Sequence, residues 1–412
     1  PFVMPILLPS LPSLCYSVLQ HVVFLHSTER IKPVPIIQRL PYLSCILLFC
    51  LSGCGLFTES NTPPSTSFSN SAIHLPSGFH ISVYAQGLKA PRFMTIGPKG
   101  VLLVANRQDN SIVAYPAGTT PEQAGAPMVI AQDLHDPTSL VMYNGFLYVG
   151  EETSIARIAL GDDLKAGPTQ RIITDLPQGG HNTRTVLIGP DKRIYVSVGS
   201  SCNVCLEQDQ RRAAVWVYNL DGSQGRLFAK GLRNAVGMAI NPWTQRIWVD
   251  VNERDLMGND IPPESVRELT DQADAGWPRC HAGDIHDPEF GQAPDACQGV
   301  QQPLVKMQAH SAPLGMDFYP MQATQFPTQY RESLYIAFHG SWNRTAPTGY
   351  KVVRIPLHNG QVAGPPEDFL SGWLNSDDTV SGRPVGITFA PDGTLFVSDD
   401  KNGNIYHVWY KA

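Results

Sequence analysis

The chain has 412 residues, 42% of them hydrophobic and 16% charged, with 35 glycines and 35 prolines. Such a composition supplies a large core and many turns, and it suits an all-β protein. A formal net charge of −6 argues against a nucleic-acid binder, because phosphate contact needs a concentrated basic face; a small anionic ligand stays within reach of local arginines.

Arg39 precedes an apolar run from Leu40 to Cys50, followed by Leu51-Ser52-Gly53-Cys54. The run is shorter than the ~20 residues of a spanning helix. This stretch resembles a bacterial lipoprotein signal peptide, which implies removal of residues 1–53, lipidation of Cys54 and export to the periplasmic side of a membrane or to the cell surface. A plain secretory signal or a short anchor is the alternative. Residues 54–74 form a polar tether, whose stretch from Thr58 to Ser67 carries no core-forming residues. The lipid would be the protein's only membrane contact.

With Cys15, Cys45, Cys50 and Cys54 set aside, Cys202, Cys205, Cys280 and Cys297 remain. An even number in an exported chain suggests two disulfides, and proximity favours Cys202 with Cys205 and Cys280 with Cys297. Metal binding or redox chemistry at Cys202-Asn203-Val204-Cys205 stays open, although no second such pair completes a zinc site. Leu206 follows Cys205, so the c-type haem attachment pattern is absent.

From residue 75 onward one phrase recurs: a loop ending near Pro or Gly, an apolar strand, a tight turn, and a strand of the type Leu-Tyr-Val. Clear copies begin at Ala90, Gly189, Val236 and Val385, with fainter ones at Thr138 and Leu314. About six units of roughly fifty residues predict a six-bladed β-propeller with four-stranded blades over 75–412. In that architecture the loops before the inner strands converge on the axis at one face.

Those loops carry the candidate chemistry. Gly179-Gly180-His181-Asn182-Thr183-Arg184 delivers an imidazole, and His181 is the candidate general base. Gly231-Leu232-Arg233-Asn234, Ala309-His310-Ser311, His339-Gly340-Ser341-Trp342-Asn343-Arg344 and Ser381-Gly382-Arg383-Pro384 follow. Three arginines at comparable loop positions imply an anionic ligand over the axis, since guanidinium forks bind carboxylates in pairs of hydrogen bonds.

Taken in order, the Gly-His-Asn-Thr-Arg-Thr, Gly-Leu-Arg-Asn, Asn-Glu-Arg-Asp, His-Gly-Ser-Trp-Asn-Arg and Gly-Arg-Pro-Val-Gly runs resemble the soluble quinoprotein sugar dehydrogenases, in particular their sorbosone and pyranose dehydrogenase branch. The resemblance extends from about Gly78 to the C-terminus. It implies a six-bladed propeller that binds pyrroloquinoline quinone (PQQ) with calcium beside it and oxidises a sugar hydroxyl by hydride transfer to the quinone. Carried over, His181 is the base, and Arg233 and Asn234 face the cofactor. Arg383 and Arg344 hold its carboxylates, with Lys351 a further candidate on an alternating strand. Calcium would take the carbonyls of Glu253 and Arg254, and Asp255 would orient that loop or ligate directly. The chain lacks the Gly-Pro pair of the glucose-oxidising branch there.

His310 and Trp342 are candidates to line a sugar pocket, because aromatic faces stack on pyranose rings. Nothing in the sequence selects among sugars or names the external electron acceptor. A metal-dependent sugar-lactone hydrolase, using acids near Glu253 and Asp399-Asp400, and a non-catalytic binding propeller are the competing readings; the first leaves the arginines unexplained.

Overall fold

The computed structural model describes residues 73–412; the proposed signal segment, Cys54 and the tether up to residue 72 lie outside the described residues. Among the described residues, six sheets of four or five strands account for nearly all regular structure. Their innermost strands are Pro91–Ile96, Ser139–Tyr143, Arg184–Ile188, Ala235–Ile240, Pro313–Phe318 and Pro384–Phe389. These six abut one another in cyclic order, the last meeting the first. The fold is the expected six-bladed β-propeller, and we number its blades 1 to 6 by these strands.

Local chemistry explains the blades. Buried Val, Ile and Leu dominate the inner strands' partners, as in Leu102–Asn106 and Ile194–Val198, where every residue is buried; each large aliphatic side chain taken from water contributes about 1.5–3 kcal/mol. Asn144 and Gly145, with φ of 48° and 76°, join Ser139–Tyr143 to Phe146–Glu151 in the two-residue turn whose twist suits a hairpin.

Ring closure uses a strand that the sequence repeat does not assign. Phe79–Ala85 becomes the outer strand of blade 6, antiparallel to Asn404–Tyr410. Phe79 packs edge-on against Phe326, Tyr330, Phe369 and Tyr410, with centroids 4.7 to 5.2 Å away. The first described strand thus locks the last blade, fastening the ring.

Hydrogen bonds bind neighbouring blades around the axis. Phe93 N donates to Thr138 O (3.1 Å), Ser139 Oγ to Arg184 O (2.8 Å), Thr185 Oγ1 to Val236 O (2.5 Å), Asn252 Nδ2 to Pro313 O (2.6 Å) and Ser398 Oγ to Arg92 O (2.7 Å). A Cβ on Gly315 would lie 2.5 Å from Val385 O, so blades 5 and 6 approach this closely only because that position is bare. Val236, Leu314 and Val385, with Phe93, form a small apolar cluster directly after the site loops. It floors the site. Beyond it runs a channel of about 320 Å³ lined by residues of all six inner strands.

Blade 4 carries the one long insertion. Residues 269–304 separate its strand Glu264–Glu268 from its last strand Val305–Met307, and the Cys280–Cys297 disulfide closes about half of them into a loop. The second disulfide joins Cys202 to Cys205. Both expected pairings are therefore present.

Candidate active site

His181 stands three residues before its inner strand, on a loop fixed by two buried arginines. Arg184 donates to the carbonyls of Pro177, His181 (2.8 Å) and Thr183 (3.0 Å). Arg212 donates to those of Gln178 (2.6 Å), Gly179 (3.0 Å) and Gly199 (3.3 Å). The imidazole Nδ1 lies 3.0 Å from Ser200 O and 2.9 Å from Ser200 Oγ. A carbonyl can only accept, so the proton sits on Nδ1 and the Nε2 lone pair is left unshared. Burial, then the charge of Arg233, lowers the His181 pKa to about 4, with the Ser200 bond opposing and Arg212 and Arg184 adding to the depression. At neutral pH the ring is an uncharged acceptor. A Cβ on Gly199 would meet His181 Cβ at 2.5 Å and Asn234 Oδ1 at 2.7 Å, so that glycine lets the base pack beside Asn234.

Arg233 lies next to this ring, almost wholly buried. Its Nε donates to Asn203 O (2.9 Å), Nη1 to Asn252 O (3.2 Å), and Nη2 to Asn203 Oδ1 (3.0 Å) and Asp255 Oδ2 (2.6 Å). Asp255 Oδ1 accepts from Asn343 Nδ2 at 2.9 Å, and that amide also lies 3.3 Å from His310 Nδ1. His310 Nε2 donates to Gly258 O (2.8 Å). One network therefore gathers His181, Arg233, Asn234, Asp255, His310 and Asn343 from blades 3, 4 and 5.

Across the axis, Arg383 makes only two long side-chain bonds, from Nε to His339 O (3.2 Å) and Nη2 to Gly340 O (3.3 Å). Its guanidinium carbon lies 5.7 Å from the Tyr350 ring centroid. Nη1 has no partner among the described residues. Beside it, Asp400 accepts from His339 Nε2 (2.9 Å) and Arg92 Nη1 (3.1 Å). Burial lowers the Arg92 pKa, with Asp400 opposing. Arg92 is 5% exposed and its buried Nε has no hydrogen-bond partner.

The remaining sequence candidates sit at the edges. Arg344 donates to Ala346 O (3.2 Å), to the Asn259 carbonyl and to Asp260 Oδ1 (3.1 Å), which ties the blade 5 loop to the blade 4 loop. Lys351 opens the third strand of blade 5, with Nζ 2.6 Å from Asp368 Oδ1. The Glu253 carboxylate is directed inward to Ser265 (2.9 Å) and Arg267 (3.4 Å), and the Arg254 side chain to Asp287. Neither residue's carbonyl accepts a hydrogen bond among the described residues. Trp342 is 71% exposed. With Leu206 and Leu256 it is among the most exposed large apolar side chains described, all three on loops of the site face.

Sequence reading missed Arg92, Arg212, Ser200 and Asn203. Arg92 was detectable by aligning the repeats. Pro91 pairs with Asn106 just before a bulge as Pro384 pairs with Asp399, so Arg92 occupies the position of Val385, where blades 4 and 5 have Val236 and Leu314. Of the other three, Arg212 reaches only backbone carbonyls, and Ser200 and Asn203 combine main-chain and side-chain contacts, so no residue-type pattern marks them.

The sequence profile of the family described as TrAA12-like matches residues 73–273 and 278–411. An uncharacterized protein of Borreliella burgdorferi is 26% identical over 358 residues, 83% of this chain and 92% of that protein. A pyrroloquinoline quinone-dependent pyranose dehydrogenase of Coprinopsis cinerea is 27% identical over 411 residues, 82% of this chain and 54% of that protein, so the chain spans about half its length. Among solved structures, a calcium structure of Trichoderma reesei carbohydrate-active enzymes family AA12 superposes with a TM-score of 0.73 at 21% identity, covering 82% of this chain and 97% of the other. That likeness shows a shared fold. The family match over most of the chain decides the matter: this chain belongs to the TrAA12-like family, and PQQ-dependent sugar dehydrogenases are among its relatives.

Proposed function

We propose that the protein is a PQQ-dependent sugar dehydrogenase in which His181 removes the proton from the sugar hydroxyl being oxidised. The observation that carries this reading is the neutral imidazole at the axis, held through Nδ1 by Ser200 with Nε2 unshared. A base must be both deprotonated and within reach of its proton.

The residues present fit the cofactor. Buried polar atoms without partners cluster around the axis: Arg92 Nε, Asn234 Oδ1, Ser311 Oγ and Asn343 Oδ1. Groups left this way cost stability unless a ligand satisfies them. Arg92 and Arg383 have free nitrogens for carboxylates, whereas Arg233, bound four times by the protein, contributes its charge and the placement of Asn234. Lys351 and Arg344, each already ion-paired, add less. For calcium, the unshared carbonyls of Glu253 and Arg254 are the oxygen donors a hard cation takes, while Asp255, occupied by Arg233 and Asn343, orients the loop. When bound, PQQ would supply a two-electron acceptor and calcium a Lewis acid beside it.

The chain's own work is then positional and acid–base. His181 Nε2 accepts the hydroxyl proton, and the Ser200 carbonyl steadies the imidazolium through Nδ1–H. Nearby arginine charge makes that cation short-lived. The exposed Trp342 face is available to stack on a sugar, and His310, with both nitrogens engaged, holds Asn343. The two disulfides suit an oxidising, exported setting, and lipidation at Cys54 is proposed with it. The lactonase reading is less favoured, because the Glu253 carboxylate is turned into the blade toward Ser265 and Arg267 and Asp400 is paired with His339 and Arg92. Purified protein loaded with PQQ and calcium should develop the bound quinone's absorption and reduce a dye with some member of an aldose panel. Lactone hydrolysis without PQQ, or PQQ binding without any sugar oxidation, would refute the proposal.

A further inference from the structure

The loop from Gly199 to Ala213 joins the second and third strands of blade 3 on the site face. Cys202 and Cys205 close four of its residues into a ring. Inside that ring, Asn203 accepts two of the four hydrogen bonds from the Arg233 side chain and contacts Asp255, which accepts a third. Its carbonyl accepts from Arg233 Nε (2.9 Å) and Trp277 Nε1 (3.2 Å); its Oδ1 accepts from Arg233 Nη2 (3.0 Å) and Asp255 N (2.8 Å); its Nδ2 donates to Asp255 O (3.0 Å). On the other flank, Ser200 Oγ donates to Cys202 O (2.6 Å) and lies 2.9 Å from His181 Nδ1. Ser200 N donates to Arg233 O (2.7 Å) and Ser200 O accepts from His181 N (2.9 Å). One short cross-linked ring thus sets the imidazole on one side and the guanidinium on the other.

A ring this small restrains little of the unfolded chain, since disulfide stabilisation grows with the length of the closed loop. Its larger effect is local. The bridge fixes the direction of the Cys202 carbonyl and of Asn203, and both cysteines are only half-buried, within reach of a soluble thiol. We propose that the Cys202–Cys205 bridge is a redox-sensitive positioning device for the site, with Ser200 and Asn203 as its positioning residues. A dithiol reductant gives two electrons and two protons; the S–S bond breaks, two thiols form, and the reductant closes to a cyclic disulfide. Asn203 then releases Arg233 and Asp255, and Ser200 loses its fixed acceptor. This rests on the reading of His181 and Arg233 above.

The test uses full-length protein in wild-type, Cys202→Ser/Cys205→Ser and Asn203→Ala forms, with and without dithiothreitol. In PQQ-free protein, hydrogen exchange at residues 251–258 should rise and the His181 ring resonance should titrate at higher pH in the serine variant and in reduced wild type, while the melting temperature changes by no more than a few degrees. In loaded protein, PQQ affinity and kcat should each fall about tenfold, the scale of one lost hydrogen bond to a charged group. Asn203→Ala, with its bridge intact, should reproduce the Arg233 part of the loss, and dithiothreitol should not further weaken the serine variant. Unchanged exchange and histidine titration in the serine variant would overturn the proposal, as would reduction that lowers activity equally in the variant. Failure of PQQ to bind would count against the dehydrogenase reading alone, because the PQQ-free measurements still report on the bridge.

Discussion

The two sides of the rim hold similar residues and use them in opposite ways. On the blade 3 and 4 side, the terminal nitrogens of Arg184, Arg212 and Arg233 are engaged by carbonyls, Asn203 and Asp255, although Arg184 Nε and Asn234 Oδ1 have no partner, and the atom left to act on a substrate is a histidine nitrogen. On the blade 6 and 1 side, Arg92 and Arg383 keep free nitrogens, and the histidine, His339, is already paired with Asp400. The difference teaches a division of labour. Cations whose terminal nitrogens are held by the protein build a rigid seat and depress the pKa of the base, whereas cations with free nitrogens facing the axis offer their hydrogen bonds to a bound anion.

Breaking the rigid side should cost the most turnover. His181→Ala should lower kcat by about 10²–10⁴-fold, the range for losing a general base, while the absorption of bound PQQ is retained. Breaking the open side should act on affinity instead. Arg92→Ala and Arg383→Ala should each raise the PQQ Kd by roughly 10- to 100-fold, about 1.4–2.8 kcal/mol for a charge-assisted bond, with kcat at saturating PQQ little changed; equilibrium titration separates the two. Lys351→Ala, which removes a lysine already 2.6 Å from Asp368, should weaken PQQ binding less than either arginine variant.

The pH dependence sharpens the same contrast. Neutral imidazole is the working form, and burial, with the neighbouring arginines adding to it, holds its pKa down to about 4. Its population falls only as pH drops through that value, so kcat/KM should stay level from pH 7 to pH 5 and decline below. A limb centred near the ordinary histidine value, about 6.5, would mean that the ring is solvated in the working enzyme. The smallest effect on chemistry belongs to the blade 4 insertion. Cys280→Ser/Cys297→Ser opens a loop spanning 17 residues of sequence, which should cost about 3 kcal/mol of stability in denaturant unfolding and leave PQQ affinity in place.

How much of this was legible beforehand follows from what each feature is made of. The blades were readable because each repeats an apolar strand and a tight turn, and His181, Arg233 and Arg383 because they precede inner strands in recognisable runs. The closing strand Phe79–Ala85 was not, since its pairing with Asn404–Tyr410 joins segments more than 300 residues apart in sequence and no local pattern encodes that. Arg92 was hidden for another reason: a lone arginine after proline is unremarkable until its register shows it taking the place of Val385. Ser200 and Asn203 work through main-chain and side-chain atoms together, at contacts set by the loop's path that no run of residues announces. Glu253 and Arg254 were chosen for their carbonyls, and their side chains indeed point elsewhere, into the blade and the insertion.

The most direct test of the central claim is a PQQ titration of wild-type and His181→Ala protein, in the presence of calcium, followed in the same samples by dye reduction with an aldose. The account predicts one equivalent of PQQ bound by both proteins and sugar oxidation by the wild type alone. PQQ taken up by neither protein, or oxidation that survives loss of the imidazole, would contradict it.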